Sequence, residues 1–152
     1  MIRWAKPEDA EALAQVFYAA VHEGPSLYTA AQRASWLPHP PEGQAWAERL
    51  APLQVAVAEV STEIVGFMGL GTDGYVDFAF VHPAHQGTGV FRRLSGHIEA
   101  QARAAAEPRL WTHASLMAQP AFQAMGFSII HHETVQRAGE SLQRAKMEKT
   151  LR

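Results

Sequence analysis

A chain of 152 residues, 47% hydrophobic and 18% charged, is the size of one domain, and a single domain over 1–152 is expected to bury about two thirds of its unfolded surface. The net charge of −2, without any basic run, argues against nucleic acid as partner and favours a small molecule or peptide. Zero cysteines exclude disulfides, thiol nucleophiles and thiolate metal sites, and the lack of an apolar run of signal or membrane-span length makes cytoplasmic localisation without a membrane partner the expectation.

Ile2 to Ala5 reads as a short edge strand. Pro7 suits the first turn of a helix whose opening acids, Glu8, Asp9 and Glu11, favour the helix dipole, and Leu13, Val16, Phe17 and Ala20 recur at helical spacing to about His22. Gly24-Pro25 closes it. A second helix, Thr29 to Trp36, must stop before Pro38, the tract Pro38-His39-Pro40-Pro41 is loop, and a third short helix occupies about Gln44 to Leu50. Three strands at hairpin spacing follow, Gln54 to Val60, Ile64 to Leu70 and Tyr75 to Val81, making an antiparallel meander. Gly69, Gly71 and Gly74 have the spacing of a dinucleotide fingerprint, but Tyr75-Val76-Asp77-Phe78 has strand character where that motif needs a helix. They read as the turn between two strands.

The strand breaks at Pro83, a short segment holds Gly87 and Gly89, and Val90, Leu94 and Ile98 then share one helix face through about Ala106. Strand, glycine loop and helix start together suit a phosphate, since glycines admit close backbone approach and a helix N-terminus offers free N–H groups. A nucleotide-hydrolysing loop would need Lys and then Ser or Thr after its last glycine, whereas Val90 and Phe91 follow Gly89. Pro108 ends the helix, and Leu110 to His113 is a short strand returning parallel to Tyr75 to Val81 by a right-handed crossover. Phe122 and Met125 mark a further helix capped by Gly126. Phe127 to His132 is a strand, and Met147 to Leu151 completes a hairpin with it, turning at Ala138-Gly139-Glu140.

Val81, Pro83, Gln86, Gly87, Gly89 and Leu94 together resemble the acyl-CoA signature of the GNAT N-acetyltransferase superfamily, V-x-P and then Q/R-x-x-G-x-G/A before a helix. Downstream, Ser115, Ala118, Ala121, Phe122, Gly126 and Phe127 stand at the places of that family's N-x-x-A-x-x-(F/L)-Y-x-x-x-G-F. Three positions depart from the pattern: Phe91 stands where the family prefers Gly or Ala, Ser115 replaces Asn, and Phe122 replaces the Tyr that often protonates the leaving thiolate. The resemblance implies an α/β fold of GNAT type, a mixed, mostly antiparallel sheet of six to seven strands splayed between the fourth and fifth strands, with helices on both faces. It implies acetyl-CoA as cosubstrate and no metal. Its contacts would come from Ala79, Phe80 and Val81 on the strand, Gln86, Gly87, Thr88, Gly89, Val90, Phe91 and Arg92 in the loop and helix start, and Phe122. The implied activity is transfer of an acetyl group to a primary amine of a small molecule by direct attack, and a homodimer is open because such enzymes often form one. Phe91 and Phe122 keep a second reading in play, an acyl-CoA-binding sensor without turnover. A third is acetylation of a protein N-terminus or lysine.

An alkylamine near pKa 10.4 is neutral about once in a few thousand molecules at pH 7, whereas a thiol near 8.5 leaves as thiolate at a penalty of roughly 2 kcal/mol. A base therefore matters more than an acid. Asp77, inside the apolar run Tyr75 to Val81, is the candidate base, with an ion pair to an arginine as the alternative; strand alternation puts it on one face with Tyr75 and Ala79. Ser115, water or a tyrosine from elsewhere would protonate the thiolate. His82 and His85 read as solvent-facing loop residues and Arg93 as a surface residue. His113 reads as structural with a proton relay left open, His22 as a dipole-favoured helix end, and His131-His132 lack the companions of a metal site. Tyr18, Tyr28, Trp36 and Trp46 lie on the helices that shape the acceptor site in such enzymes, so one or two are expected to line it.

Overall fold

The computed structural model describes residues 1–152, and segments of alternating apolar residues become its strands while those of period near 3.6 become its helices. In chain order these are β1 (Ile2–Trp4), α1 (Ala10–His22), α2 (Ala30–Trp36), α3 (Gly43–Leu50), β2 (Gln54–Val60), β3 (Glu63–Leu70), β4 (Tyr75–Val81), α4 (Val90–Ala104), β5 (Arg109–Ser115), α5 (Gln119–Ala124), β6 (Ser128–Arg137) and β7 (Glu140–Thr150). The seven strands form one sheet of order β1-β2-β3-β4-β5-β7-β6, antiparallel at every junction except β4 with β5. No helix is long and apolar enough to cross a membrane.

Strand alternation divides the apolar side chains between two cores. Ala56, Met68, Val76, Ala114 and Met147 meet Val90, Leu94, Ile98 and Ala102 of α4 on one face. Val55, Val57, Phe67 and Phe78 meet Leu13, Val16 and Phe17 of α1 and Trp46 of α3 on the other. Gly66 makes the α4 side tight: a Cβ there would lie 3.1 Å from Val90 Cγ1 and 3.2 Å from Leu94 Cδ1. Past β5 the second face loses its helical cover, and Trp111, His113, Arg144 and Lys146 are only partly buried. Each core side chain taken from water contributes about 1.5–3 kcal/mol, so the sheet's centre is the most firmly held part.

Two details revise the sequence reading. Leu70 pairs with Val76 but Gly69 pairs with Phe78, so Asp77 is an extra residue in β4, a bulge that inverts the alternation. Val76 then faces α4 while Phe78 faces α1, and Ala79 packs on the α4 side, away from Asp77. The second concerns β7, which runs from Glu140 to Thr150 rather than from Met147. Glu140 to Lys146 carries no β-branched residue, and its strand conformation comes from pairing with β5 on one side and β6 on the other. The hairpin turn does fall at Ala138-Gly139, and Gly69-x-Gly71-x-x-Gly74 does form the β3–β4 turn, closed by a 3-10 turn at Thr72–Gly74.

Gly74 sets how closely β4 can begin beside β5. Its φ is +75°, and a Cβ would lie 2.0 Å from the carbonyl oxygen of Arg109, which is backbone and cannot step aside. Gly74→Ala is expected to cost at least about 2 kcal/mol in chemical denaturation. Gly96, exposed in the middle of α4 with nothing within 4 Å of its added Cβ, gives the opposite sign. Gly96→Ala should stabilise by about 0.5–1 kcal/mol through helix propensity.

Candidate active site

β4 and β5 are paired only at Tyr75↔Trp111 and Val76↔Thr112. Thr112 Oγ1 donates to Val76 O at 2.8 Å and completes the last rung. Beyond it the strands diverge, and the backbone groups of Asp77 to Val81 that point away from β3 border a cleft instead of a neighbouring strand.

The loop after β4 is braced from within. His82 Nδ1 accepts the Ala84 N–H at 3.1 Å and so caps the Pro83–His85 turn, Gln86 Nε2 donates to Val81 O at 3.1 Å, and Thr88 Oγ1 donates to His85 O. Gly87 and Gly89 follow at φ +76° and +87°. A Cβ on either would meet nothing within 4 Å, so the left-handed backbone rather than crowding is what favours glycine. The N–H groups from Gly87 through Arg92 find no acceptor in the chain, the first helical bond being Arg93 N–H to Gly89 O at 3.1 Å. Six free donors at the positive end of a fifteen-residue helix form an anion cradle. Phe91 turns inward and meets the buried Phe122 edge-on at 5.1 Å, and Phe122 meets Phe127 at 4.9 Å. Arg92 stays exposed at the groove and Arg93 lies outside it.

Two cavities open from the cleft. One, of about 440 Å³, runs along the loop past Val81, His85, Gln86, Gly87, Gly89, Phe91 and Arg92. The other, of about 570 Å³, lies under α2 and α3 against β4, β5 and β7 and carries Phe17, Trp36, Trp46, Phe78 and Phe80. Tyr28, Trp36, Ala79, Phe80, Ser115 and Ala118 line both, so the two spaces meet there. Tyr18 lines neither: it stacks on His22 at 4.4 Å, and His22 Nε2 is 2.6 Å from Leu37 O, a latch between the ends of α1 and α2.

Polar groups at the junction differ in how committed they are. Tyr28 donates to Gln143 O at 2.6 Å and accepts from Leu116 N–H at 2.9 Å, and burial pushes its phenol up. Ser115 Oγ accepts the Ala118 N–H at 3.2 Å while its own proton has no acceptor. Asp77 Oδ1 lies 2.9 Å from Arg49 Nη2, and that guanidinium sits 4.6 Å over the Phe78 ring, so the ion pair with an arginine is present. Across the larger cavity Tyr75 Oη is 3.0 Å from His113 Nδ1, whose Nε2 is 3.6 Å from Glu133 Oε1. Burial first and Arg144 second hold His113 below 6.5, and burial with Asp77 raises Tyr75. Tyr75, Glu133, Arg137 and Arg144 carry no motif; only their alternation along strands could have pointed to them.

The sequence profile of the acetyltransferase (GNAT) domain matches residues 26–151. The uncharacterized N-acetyltransferase YafP of Escherichia coli K12 is 30% identical over 138 residues, which is 91% of this chain and 87% of that protein. A GCN5-related N-acetyltransferase from Rhodopseudomonas palustris superimposes with a TM-score of 0.91 at 28% identity, covering 99% of this chain and 95% of that one. The structure of yncA from Salmonella typhimurium, solved with its cofactor acetyl-CoA, gives a TM-score of 0.75 at 22% identity, covering 100% of this chain and 94% of that one, a likeness of fold.

Arg144 lowers the proton affinity of His113, and it also draws Glu133 away, with Nη2 3.4 Å from Glu133 Oε2. Both influences act in one direction, so Arg144→Met should raise the His113 pKa toward 6.5 in an NMR titration of its ring protons. An unchanged or lower value would show that Arg144 does not set the field there.

Proposed function

The chain belongs to the GNAT acetyltransferase family, and from that premise we propose that it moves an acetyl group from acetyl-CoA to the primary amine of a small molecule by direct attack. The observation that carries the reading is the run of six free N–H groups from Gly87 to Arg92 beside a strand that has parted from its neighbour.

The residues fit acetyl-CoA in two respects. The cradle at Gly87 to Arg92 suits a diphosphate, with Gln86 bracing the loop on Val81 O and Arg92 adding a cation. The groove leads from it to Ala79, Phe80 and Phe122, where the acyl end would lie against β4. Once bound, acetyl-CoA supplies an activated thioester carbonyl. Backbone donors of Ala79 to Val81 stabilise negative charge developing on the carbonyl oxygen, which is typically the largest catalytic contribution. Asp77 takes the proton that the amine nitrogen releases as it bonds to the carbonyl carbon, and the electron pair of the broken C–S bond leaves on sulfur. Ser115, whose hydroxyl proton is uncommitted, returns a proton to that sulfur. Phe122 packs the acyl end and offers no hydroxyl.

The Tyr75–His113 hydrogen bond favours one alternative for the base. Burial favours the neutral form of His113, whose Nδ1 lies 3.0 Å from Tyr75 Oη, so Tyr75 could pass it a proton. The aromatic lining of the cavity of about 570 Å³, with Phe17, Trp36, Trp46, Phe78 and Phe80, supports a small amine with an apolar part over a protein N-terminus or lysine.

Thiol release from acetyl-CoA across a broad amine panel tests the reading directly. Asp77→Asn should lower kcat/KM by about 10²–10⁴ with acetyl-CoA affinity retained. If His113→Gln has that effect instead and removes the acid limb of the pH profile, the proton goes through Tyr75. Gly89→Val should weaken acetyl-CoA binding about tenfold or more, because a side chain held at φ near +87° costs about 1–2 kcal/mol. Tight acetyl-CoA binding with no thiol release on any amine would establish the sensor.

A further inference from the structure

The acceptor cavity holds more cationic donor capacity than its own acids use. Three arginines line it. Arg49 is occupied by Asp77 and by the Phe78 face. Arg144 is not: its Nε is buried with no acceptor, and its one partner, Glu133, lies at the long distance of 3.4 Å. Glu133 also faces His113 at 3.6 Å and His131 at 3.7 Å, so its two oxygens are divided among three cationic or potentially cationic groups. Arg137 has no acid or carbonyl partner within the chain. A guanidinium presents five N–H donors in a fixed fork, and a buried unbonded donor is costly enough to call for an explanation. Arg144 also lowers the proton affinity of His113, so its positive field reaches into the cavity rather than being cancelled beside it.

Position narrows what such a fork could hold. Arg144 is the register partner of Ser115, so the two side chains leave the same face of adjacent strands, about 5 Å apart at their roots. Ser115 is one of the six residues lining both cavities, which puts Arg144 beside the point where acyl group and amine would meet. Asp77 and Glu42 line the same cavity from β4 and from the start of α3. Acids on one wall and free arginine donors on the other suit a zwitterion, and Trp36, Trp46, Phe78 and Phe80 leave an apolar space for the rest of the molecule.

We propose that the acceptor is an amino acid, or an amine bearing an equivalent oxyanion two or three bonds from its nitrogen, and that Arg144 binds that oxyanion while Arg137 draws it in. The inference rests on the transferase reading above and adds the substrate class. Arg144 acts as a fork to a carboxylate, a geometry in which charge-assisted bonds are about twice as strong as neutral ones. The aromatic walls favour amino acids with apolar or aromatic side chains.

Matched pairs test this on the 152-residue chain: phenylalanine against phenethylamine, and leucine against isoamylamine, with thiol release from acetyl-CoA as readout. The wild type should favour the carboxylate member of each pair by about 100-fold or more in kcat/KM, since a site built to bond a polar group discriminates strongly against its absence. Arg144→Met should collapse that ratio at least tenfold, and Arg144→Lys should restore part of it. A ratio is insensitive to partial loss of folded protein, and acetyl-CoA affinity provides a separate check on the fold. Amines acetylated as well as or better than their amino acids would overturn the substrate class and leave the transferase intact, as would a ratio indifferent to Arg144→Met. Thiol release with neither member of either pair would overturn the substrate class, and only its absence across the broad amine panel would overturn the transferase reading beneath it.

Discussion

The separation of β4 from β5 after Val76 is the constraint on which the rest depends. A central strand that loses its partner part-way leaves backbone donors and acceptors without ladder bonds, a loss that a folded protein tolerates where water or a ligand takes them up. The surroundings hold the parting in place. Gly74 lets the two strands start in contact, with Arg109 O where a Cβ would be, and Thr112 Oγ1 closes the last rung on Val76 O. Further along, Gln86 ties the loop to Val81 O, and Val90 and Leu94 settle onto Gly66. The strands are thus pinned at one end, and at the other β4 leads into a loop tied back to Val81 O and a helix seated on β3.

How much was legible in the sequence follows from how local each feature is. The phosphate loop is encoded within ten residues: Pro83 stops a strand, Gly87 and Gly89 take backbone angles that other residues resist, and Val90 opens a helix. Alternation rightly sets Asp77 beside Tyr75 but wrongly groups it with Ala79, because a bulge depends on how Leu70 and Gly69 pair across the turn, a matter of register that one strand does not reveal. The first half of β7 was missed for a similar reason, since Glu140 to Lys146 is strand through its neighbours rather than its composition. The groups that gather on the open face of the sheet, Tyr75, His113, Glu133 and Arg144, come from four strands. Nothing in their spacing could bring them together before the register was known.

The aromatic residues show the same division. Trp46 reads as a candidate for the acceptor site, and it does line the cavity, but it also packs on Phe17 and Phe78 and donates its indole N–H to Ala10 O at 2.8 Å. It is core and wall at once. Large aromatic rings around a cavity need such dual roles, because only rings held by their far sides keep a space open against collapse.

The departures at positions 91 and 122 are one feature rather than two. Phe91 stands where the family prefers a residue of little or no bulk, and its ring is spent on the edge of Phe122, which lacks the hydroxyl that position often carries. Phe122 in turn meets Phe127 edge-on at 4.9 Å, so its buried ring is packed by Phe91 and by Phe127. Each phenylalanine therefore makes the other more suitable. The catalytic consequence is bounded by the chemistry of the leaving group: expelling a thiolate of pKa near 8.5 unprotonated costs about 2 kcal/mol at pH 7, less than the roughly 4.6 kcal/mol needed to deprotonate an alkylamine of pKa near 10.4. A site can lose its phenol and keep its rate within reach, provided the acceptor side still removes a proton, which places the demand on Asp77 or on the Tyr75–His113 pair rather than on the aromatic wall.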